Sequence, residues 1–546
     1  MLVIRSNKYW LKIRAPLVAS KIAICRSLEG STFVREARVW LAKATIPNLK
    51  KLFDNKFKLD DSAYEMLYPP VTSSDFKIIP NDEKRMVFPK LLKELRPFQK
   101  EAVRFFEYTG GRALLGDEMG LGKTISSLAW TAFHSDSIPT LVVCPASIKL
   151  NWSREITNTI PGATVYVLSG RTTSQLPRCH YYVVNYSIIS AWATELLNAG
   201  IRTCVIDECH NIKNETTQQA KATIRIAQTC KHIIPMSGTP IVNRPIEFFS
   251  VLKLVRPDLF KSKFEYALRY CRAHKTRYGW DMTGHSNVQE LHNILMTNRV
   301  MLRRLKKEVL KELPDLVRTV LPMEISNRKD YKEALTDVAT WAITHMDATK
   351  KTQEQINKVK LEGLARMQAL RKIAVLGKLD SVFAWLDDFI ESGEKIIVFG
   401  WHIDVLTLVK KRYSKIAVHV DGSTPNELRQ KYVDMFQNNK EIQMFIGNIK
   451  ACKEGLTLTA ASHECFIETT WSPGDQDQAE ARAHRIGQKD AVNVWYFVAE
   501  NTIEEDIISK LDSKRKVITN IIDGKEVEDD AILMDLFDKI KKQKGA

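Results

Sequence analysis

A chain of 546 residues, 44% hydrophobic and 27% charged, is ordinary globular material and neither a disordered nor a collagen-like chain. At roughly 100–200 residues per domain it predicts about three or four units, each able to bury a core without staples. The formal net charge of +17 suits a polyanionic partner and equally a generally basic surface, so charge alone decides nothing.

Residues 1–88 carry short alternating segments, prolines from Pro69 onward and no nucleotide motif. They read as a small accessory module ending in the linker YPPVTSSDFKIIPNDEK. The opening MLVIRSNKYWLKIR is too interrupted by charge for a secretory signal. No stretch approaches ~18 continuous apolar residues, so no membrane span or membrane partner is expected.

From 89 to 256, short apolar runs alternate with longer helical stretches: RALLGDE, TLVVCPA, TVYVLSG, YYVVNYS, RTCVIDE, HIIPMSG. Strands alternating with helices predict an α/β lobe, a parallel sheet covered on both faces. Residues 257–378 are rich in Lys, Arg and Glu and read as a helical insertion and linker. Within them KTQEQINKVKLEGLARMQALRKIAV places Ile356, Val359, Leu361, Leu364, Met367 and Leu370 at roughly helical spacing. That helix is either an exposed arm or one packed on a lobe. The α/β pattern returns over 379–512 in EKIIVFG, KIAVHVDGS, QMFIGN, HECFIE and VNVWYFVAE. Residues 513–546 read as a charged helical tail.

The nine cysteines are scattered, without C-x-x-C or zinc spacing. Cys144, Cys204, Cys209 and Cys465 sit in or beside apolar runs and read as buried free thiols in a reducing compartment.

The segment LLGDEMGLGKTISSLAW runs strand, loop, helix, with Gly120, Gly122, Lys123 and Thr124 at its turn. Glycines let backbone N–H groups crowd a phosphate, the lysine reaches the β- and γ-phosphates, and the threonine hydroxyl binds magnesium. The strict pattern begins with glycine, and here that position is Asp117. About 80 residues on, CVIDECH delivers Asp207 and Glu208 at a strand's carboxyl end, where open α/β sheets place their chemistry. In that company Asp207 is expected to hold magnesium and Glu208 to orient and deprotonate a water. An isolated D-E would be only a strand end.

Ser237, Gly238, Thr239 and Pro240 close another apolar run and read as a relay of nucleotide state. Upstream, Gln99 carries an amide able to read an adenine edge, or is simply a helix residue. In the second lobe, QAEARAHRIGQ (Gln478 to Gln488) sets Arg482 and Arg485 three apart, on one helix face. Planar guanidinium forks suit phosphate. This lobe has no phosphate loop of its own, so its arginines can complete the first lobe's site only when the lobes close.

Taken together, DEMGLGKT, DECH, SGTP, GLTLTAA and QAEARAHRIGQ resemble, in order and spacing over residues 92–510, the Swi/Snf family of superfamily-two helicase-like ATPases. RYCRAHKTRYGWDMTGHSN, MLRRLKKEVLKELP, SGTPIVNRPIEFF and the run through DGSTPNELRQKYVDMF resemble its branch of annealing helicases and fork remodelers. Residues 22–53 are similar to the HARP module of that branch. The resemblance implies two tandem RecA-like lobes and a DNA-dependent ATPase that tracks along double-stranded or branched DNA with ATP and Mg2+. It also implies single-stranded-DNA-binding or replication and repair proteins as partners.

Residue by residue, the resemblance implies that Gln99 contacts adenine, Lys123 and Thr124 bind phosphate and magnesium, and Asp207 and Glu208 hold the metal and activate water. Arg482 and Arg485 would be arginine fingers. His210 and Gln478 would couple the lobes, and Pro145, Thr239, Gly422, Ser423, Gly455 and Thr457 would line the nucleic-acid track. Lys453 and Glu454 depart from the small residues the family often has, and Met236 from its usual leucine. The rival readings are a strand-separating DNA or RNA helicase of the same superfamily and a non-hydrolysing ATP-gated clamp. Compactness suggests a bacterial or viral source and a cytoplasmic location, or the nucleus if the source is eukaryotic.

Overall fold

The computed structural model describes residues 2–5, 9–15, 18–55, 57–59, 63, 91–134, 136–238, 245–276, 279–345, 353–452, 455–471 and 473–511. The linker after Tyr68, the expected helical tail over 513–546, and Thr239, Pro240, Lys453 and Glu454 lie outside the described residues, as does the side chain of Ile356. Packing divides the chain into residues 1–86 with 287–300, and residues 87–286 with 301–546.

In the first unit β1 (Leu2–Arg5), β2 (Trp10–Arg14), β3 (Thr32–Val34), β4 (Val39–Lys43) and β5 (Lys58–Leu59) form one sheet in the order β3-β4-β2-β1-β5. All neighbours are antiparallel except β1 and β5. Leu11 and Ile13, two apart on β2, share one face. They join Leu49 and Leu52 of the helix Ile46–Asp54, and Phe57, in a core of the unit's own.

The second unit holds two parallel sheets. The first combines β6 (Leu114–Leu115), β7 (Thr140–Cys144), β8 (Val165–Val167), β9 (Tyr181–Asn185), β10 (Thr203–Asp207) and β11 (His232–Met236). After a separate hairpin, β12 (His274–Thr276) with β13 (Gly279–Asp281), the chain adds β14 (Met301–Leu302). The order is β14-β6-β11-β10-β7-β9-β8. β7, β9, β10 and β11 are buried at every position, because helices cover both faces and leave no side for polar alternation.

The second sheet contains β15 (Leu316–Met323), β16 (Ile396–Gly400), β17 (Ala417–Val420), β18 (Met444–Asn448), β19 (His463–Phe466) and β20 (Val492–Ala499), in the order β15-β20-β19-β16-β18-β17. Every apolar run read as a strand in the two lobes is one. The four cysteines read as buried thiols are free and buried.

The stretch between the lobes holds strands as well as helices. The stretch 257–378 is not purely helical: β14 extends the first sheet and β15 the second, paired with β20 over its full length. β15 is an edge strand with most of its residues at least partly exposed, so LVRTVLPM lacks the continuous apolar run that marks the central strands.

The helix read in this stretch runs from Gln353 to Ile390, and its two halves answer the two readings. Leu361 and Leu364 are exposed, while Met367, Leu370 and Ala374 pack with Tyr331, Val338 and Ala342 of the helix Arg328–His345. Further on, Val375, Leu379, Val382 and Leu386 enter the core of the second sheet beside Ile396, Val398 and Ile446.

Between these two clusters Lys378 is fully buried. Its ammonium donates to Glu504 Oε2 at 2.5 Å and to the Phe497 carbonyl at 2.6 Å, and Glu504 also accepts from the Ala499 N–H at 2.9 Å. Burial pushes the amine's pKa down, and Glu504 opposes that shift. A buried pair broken on one side strands a charge, so Lys378→Met is expected to cost roughly 3–5 kcal/mol of unfolding free energy. Lys378→Met with Glu504→Leu should recover most of it. Urea unfolding of the three proteins checks this, and equal stability of wild type and single variant would refute it.

Candidate nucleotide site

The phosphate loop, both carboxylates and the SGTP segment emerge at the carboxyl ends of β6, β10 and β11, the edge where parallel sheets bind ligands. Gly120 (φ +87°) and Gly122 (φ +75°) hold left-handed conformations natural only to glycine. A Cβ on Gly122 would lie 2.5 Å from Gln99 Nε2. The helix Lys123–Phe133 begins at this turn, so its first N–H groups face the loop.

Lys123 donates to the Asp117 carbonyl at 2.8 Å and the Glu118 carbonyl at 3.4 Å. Burial pushes its pKa down, and Glu208, Asp117 and Asp207 push back. Gln99 is buried, with its carbonyl taking the Arg96 N–H (3.0 Å) and its amide directed at the Leu121 carbonyl (3.4 Å). Here its amide braces the loop.

Asp207 accepts from Trp152 Nε1 at 2.8 Å and from the Glu208 N–H at 3.0 Å. Burial, with Glu208 alongside, raises its pKa. Glu208 sits at φ +49°, which turns its side chain out of the strand direction. Burial pushes its pKa up as well, but His210 at 3.3 Å, Lys123 and Ser237 Oγ at 3.1 Å outweigh this, and the pKa is lowered. The two adjacent carboxylates are thereby driven apart, one toward protonation and one held ionised.

Ser237 thus ties the SGTP segment to Glu208. Gly238 lies so close to the loop that a Cβ would fall 2.3 Å from Met119 Cγ and 3.4 Å from Lys123 Nζ. The His210 ring contacts Glu208 and Ser237, both in its own lobe.

The arginines differ from expectation in two ways. The helix Pro473–Glu480 ends before either, so they do not share a helix face. Arg482 Nε bonds back to the Gln478 carbonyl at 2.8 Å, satisfying an end the helix leaves open. Their guanidinium groups converge on the Leu456 carbonyl, Arg485 at 2.9 Å and Arg482 at 3.3 Å. What meets the phosphate loop is the Arg485 main chain and Cβ, the latter 3.0 Å from where a Cβ on Gly120 would stand. Burial and the neighbouring Arg482 lower the Arg485 pKa to about 10.

Of the expected track residues, Pro145 leads into a short turn whose Ile148 Cγ2 would be 2.2 Å from a Cβ on Gly455. Thr457 is exposed two residues on. Ser423 lies in a turn after β17 with its N–H and hydroxyl on Asp421, next to exposed Gly422.

Residues 98–373 match the SNF2-related domain and residues 378–487 the helicase conserved C-terminal domain. The chain belongs to the SNF2-related family. It is 32% identical over 462 residues to the mouse DNA annealing helicase and endonuclease ZRANB3, covering 80% of this chain and 41% of that protein. It is 32% identical over 448 residues to the SWI/SNF-related matrix-associated actin-dependent regulator of chromatin subfamily A-like protein 1 of Xenopus tropicalis, covering 81% and 46%. The chain thus spans less than half the length of these two relatives. The solved SWI2/SNF2 ATPase core of Sulfolobus solfataricus in complex with dsDNA is 24% identical, covers 80% of this chain and 95% of that one, and gives a TM-score of 0.38. None of these three is bacterial or viral, so that expected source finds no support.

Three cations of this SNF2-related site, Arg303, Arg304 and Lys306, had no role assigned from the sequence. Arg304 grips the Asp117 carboxylate through Nε (3.0 Å), Nη2 (2.5 Å) and its own N–H (3.1 Å), and it also bonds the Phe98 carbonyl. Arg303 Nη1 holds the Gly116 carbonyl at 2.8 Å. Lys306 gives its N–H to Glu118 at 2.7 Å and its ammonium to the His484 carbonyl at 2.6 Å, beside Arg485. The one available signal was Asp117 itself, an acid where phosphate loops begin with glycine and therefore in need of a cation.

Arg304→Ala leaves that acid buried without its cation. It is expected to weaken fluorescent-nucleotide binding by about tenfold or more. Asp117→Gly combined with Arg304→Met should restore most of the affinity. Unchanged binding by the single variant would show that the pair does not hold the loop.

Proposed function

We propose that this chain is an ATP-hydrolysing motor that translocates on double-stranded DNA, remodelling forks, annealing strands or displacing bound protein. The observation that carries the reading is the meeting over one phosphate loop of Lys123, the Asp207–Glu208 pair and the second lobe's arginine segment. Membership of the SNF2-related family and an annealing helicase among the relatives support DNA as the track. The +17 charge suits it. In a eukaryotic cell the nucleus is the matching compartment. Replication and repair proteins, single-stranded-DNA-binding ones among them, are the fitting partners.

The residues present fit a magnesium nucleotide. Asp207, raised by burial and by Glu208, is a carboxylate that a divalent cation would return to its charged form, and Thr124 opens the adjoining helix. The ion would neutralise phosphate charge there. The chain's own part is distinct. Lys123 and the N–H groups of the loop bind phosphate. Glu208, held ionised, accepts a proton from water. The arginines offer planar forks once they leave Leu456.

Turnover is expected to require DNA, with duplex or forked DNA far ahead of RNA. Phosphate release measured with no nucleic acid, single strand, duplex, fork and RNA decides this, and stimulation by RNA equal to that by duplex would overturn it. Duplex affinity should fall with salt at a log–log slope of roughly −4 or steeper if about five phosphates are neutralised.

Arg485→Ala should spare nucleotide binding, which rests on the first lobe, while cutting turnover by about 10³–10⁵. Lysine should rescue it poorly. Lys123→Ala should lose binding itself, and Glu208→Gln should bind and stall. Near-normal turnover of Arg485→Ala would remove the second lobe from the chemistry.

A further inference from the structure

Between the first sheet's last helix and β14 the chain builds a small platform that neither the nucleotide site nor the expected track uses. The helix Lys263–Tyr270 is anchored on its inner face. Tyr266, Ala267 and Tyr270 are buried, Tyr266 packs on Phe249 and Phe260, and its hydroxyl holds the Pro245 carbonyl at 2.9 Å. The outer face shows Phe264 and Leu268, four apart and hence neighbours, at 41% and 45% exposure. Trp280 of β13, 46% exposed, meets Phe264 edge to face with ring centres 4.8 Å apart.

A cation stands beside these rings: Lys275 of β12 lies directly across from Trp280 and is exposed, and Lys261 and Arg272, which flank the helix in the chain, are exposed too. Arg272 stands at φ +49°, a conformation costly for a side-chain-bearing residue. It is kept there by its N–H on Ser286 Oγ (3.1 Å), whose hydroxyl in turn bonds the Arg269 carbonyl (2.7 Å). Two nearby acids are engaged locally. Asp281 takes the N–H and hydroxyl of Thr283 at 2.8 and 2.7 Å, and Asp258 is gripped by Arg256 at 2.8 and 2.6 Å. Glu265, next to Phe264 in the helix, is exposed as well.

A single exposed apolar residue is ordinary. Two rings with open surface, with the exposed Lys275 directly across from one of them, have the composition of a base-stacking platform. Ring faces take unstacked bases and the cations take the phosphates between them. A paired duplex hides its base faces, so such a platform discriminates unpaired from paired nucleotides. We infer that the surface formed by Phe264, Leu268, Trp280, Lys275 and Arg272 binds the unpaired strand of branched DNA. This inference rests on the DNA reading above and adds to it the source of structural selectivity: the motor tracks on duplex, and the platform recognises where duplex ends. A protein partner would be expected to bring acidic residues and a larger apolar complement, and is the alternative the test separates.

The test uses the full chain and three fluorescein-labelled probes without nucleotide: a blunt duplex, the same duplex with two non-complementary oligo-dT arms, and oligo-dT alone. The variants are Trp280→Ala, Phe264→Ala and Lys275→Ala, with Trp280→Phe as the conservative control. All are exposed positions, and thermal midpoints confirm folding. Losing one stacked base corresponds to roughly a fivefold to 150-fold loss of affinity. Trp280→Ala should show a loss of that order for fork and oligo-dT by fluorescence anisotropy, Trp280→Phe should keep most of the affinity, and blunt-duplex affinity and duplex-stimulated ATPase should stay at wild-type values.

Wild-type affinity of the alanine variants for fork and oligo-dT overturns the inference, as does an equal loss for blunt duplex, or a loss confined to a co-purifying protein. Failure of the DNA reading itself looks different: the wild-type chain would bind none of the probes and its ATPase would answer to no DNA.

Discussion

Burial of the Lys123 ammonium governs the site. An amine taken out of water loses its hydration, which pushes its pKa down, and the surrounding acids Glu208, Asp117 and Asp207 oppose that shift. Each acid then needs a partner of its own. Glu208 has His210 and Ser237, Asp207 has Trp152, and Asp117 has Arg304. One buried cation thereby recruits groups from β10, from the segment after β11 and from the stretch behind β14. Such a network is stable only while every member is satisfied, so a phosphate entering it cannot act locally.

The stretch 301–306 joins the two lobes by hydrogen bonds as well as by the chain. Its β14 pairs with β6, the strand that delivers the loop, and Gly116 and Glu118 give their N–H groups to the Leu302 and Arg304 carbonyls. A few residues on, Lys306 reaches the His484 carbonyl, and the His484 ring bonds the Pro314 carbonyl at 2.8 Å. Arg318 at the start of β15 closes the chain of contacts on Glu480, at the end of the helix preceding the arginines. The covalent link between the lobes is thus also a hydrogen-bonded one, fastened at the phosphate loop and at the arginine segment. A shift of that segment must break Lys306 from His484, next to Gly120.

Much of this was legible in the sequence, for definite reasons. Strands buried on both faces leave uninterrupted apolar runs, which is why β7, β9, β10 and β11 could be read directly. The loop and carboxylate pair were legible because glycine at φ above zero and acids at a strand's end are forced by chemistry. β15 was not, since an edge strand needs apolar residues on fewer positions. The helix end before Arg482 was not either: QAEARAHRIGQ has good helical residues, and what ends the helix is tertiary, the Arg482 carbonyl taken by the Leu458 N–H and the Ala483 N–H by Glu464. Arg304 escaped because its role depends on a partner almost 190 residues away, a distance that no local pattern encodes.

Leu456 shows how the two ends of the mechanism are joined. Its carbonyl holds both arginines, and a hydrogen bond from a charged donor is worth about 1.5–3 kcal/mol. That is small beside what a guanidinium gains from a phosphate developing charge, so the carbonyl is a place of rest and not a trap. One residue back, Gly455 (φ +73°) is pressed on Ile148 of the first lobe so closely that a side chain could not be inserted. One residue on, Thr457 is exposed. The Leu456 peptide group that accepts from both arginines therefore sits between the contact with Ile148 and the exposed Thr457, and the absence of a side chain at Gly455 is the condition for that close contact.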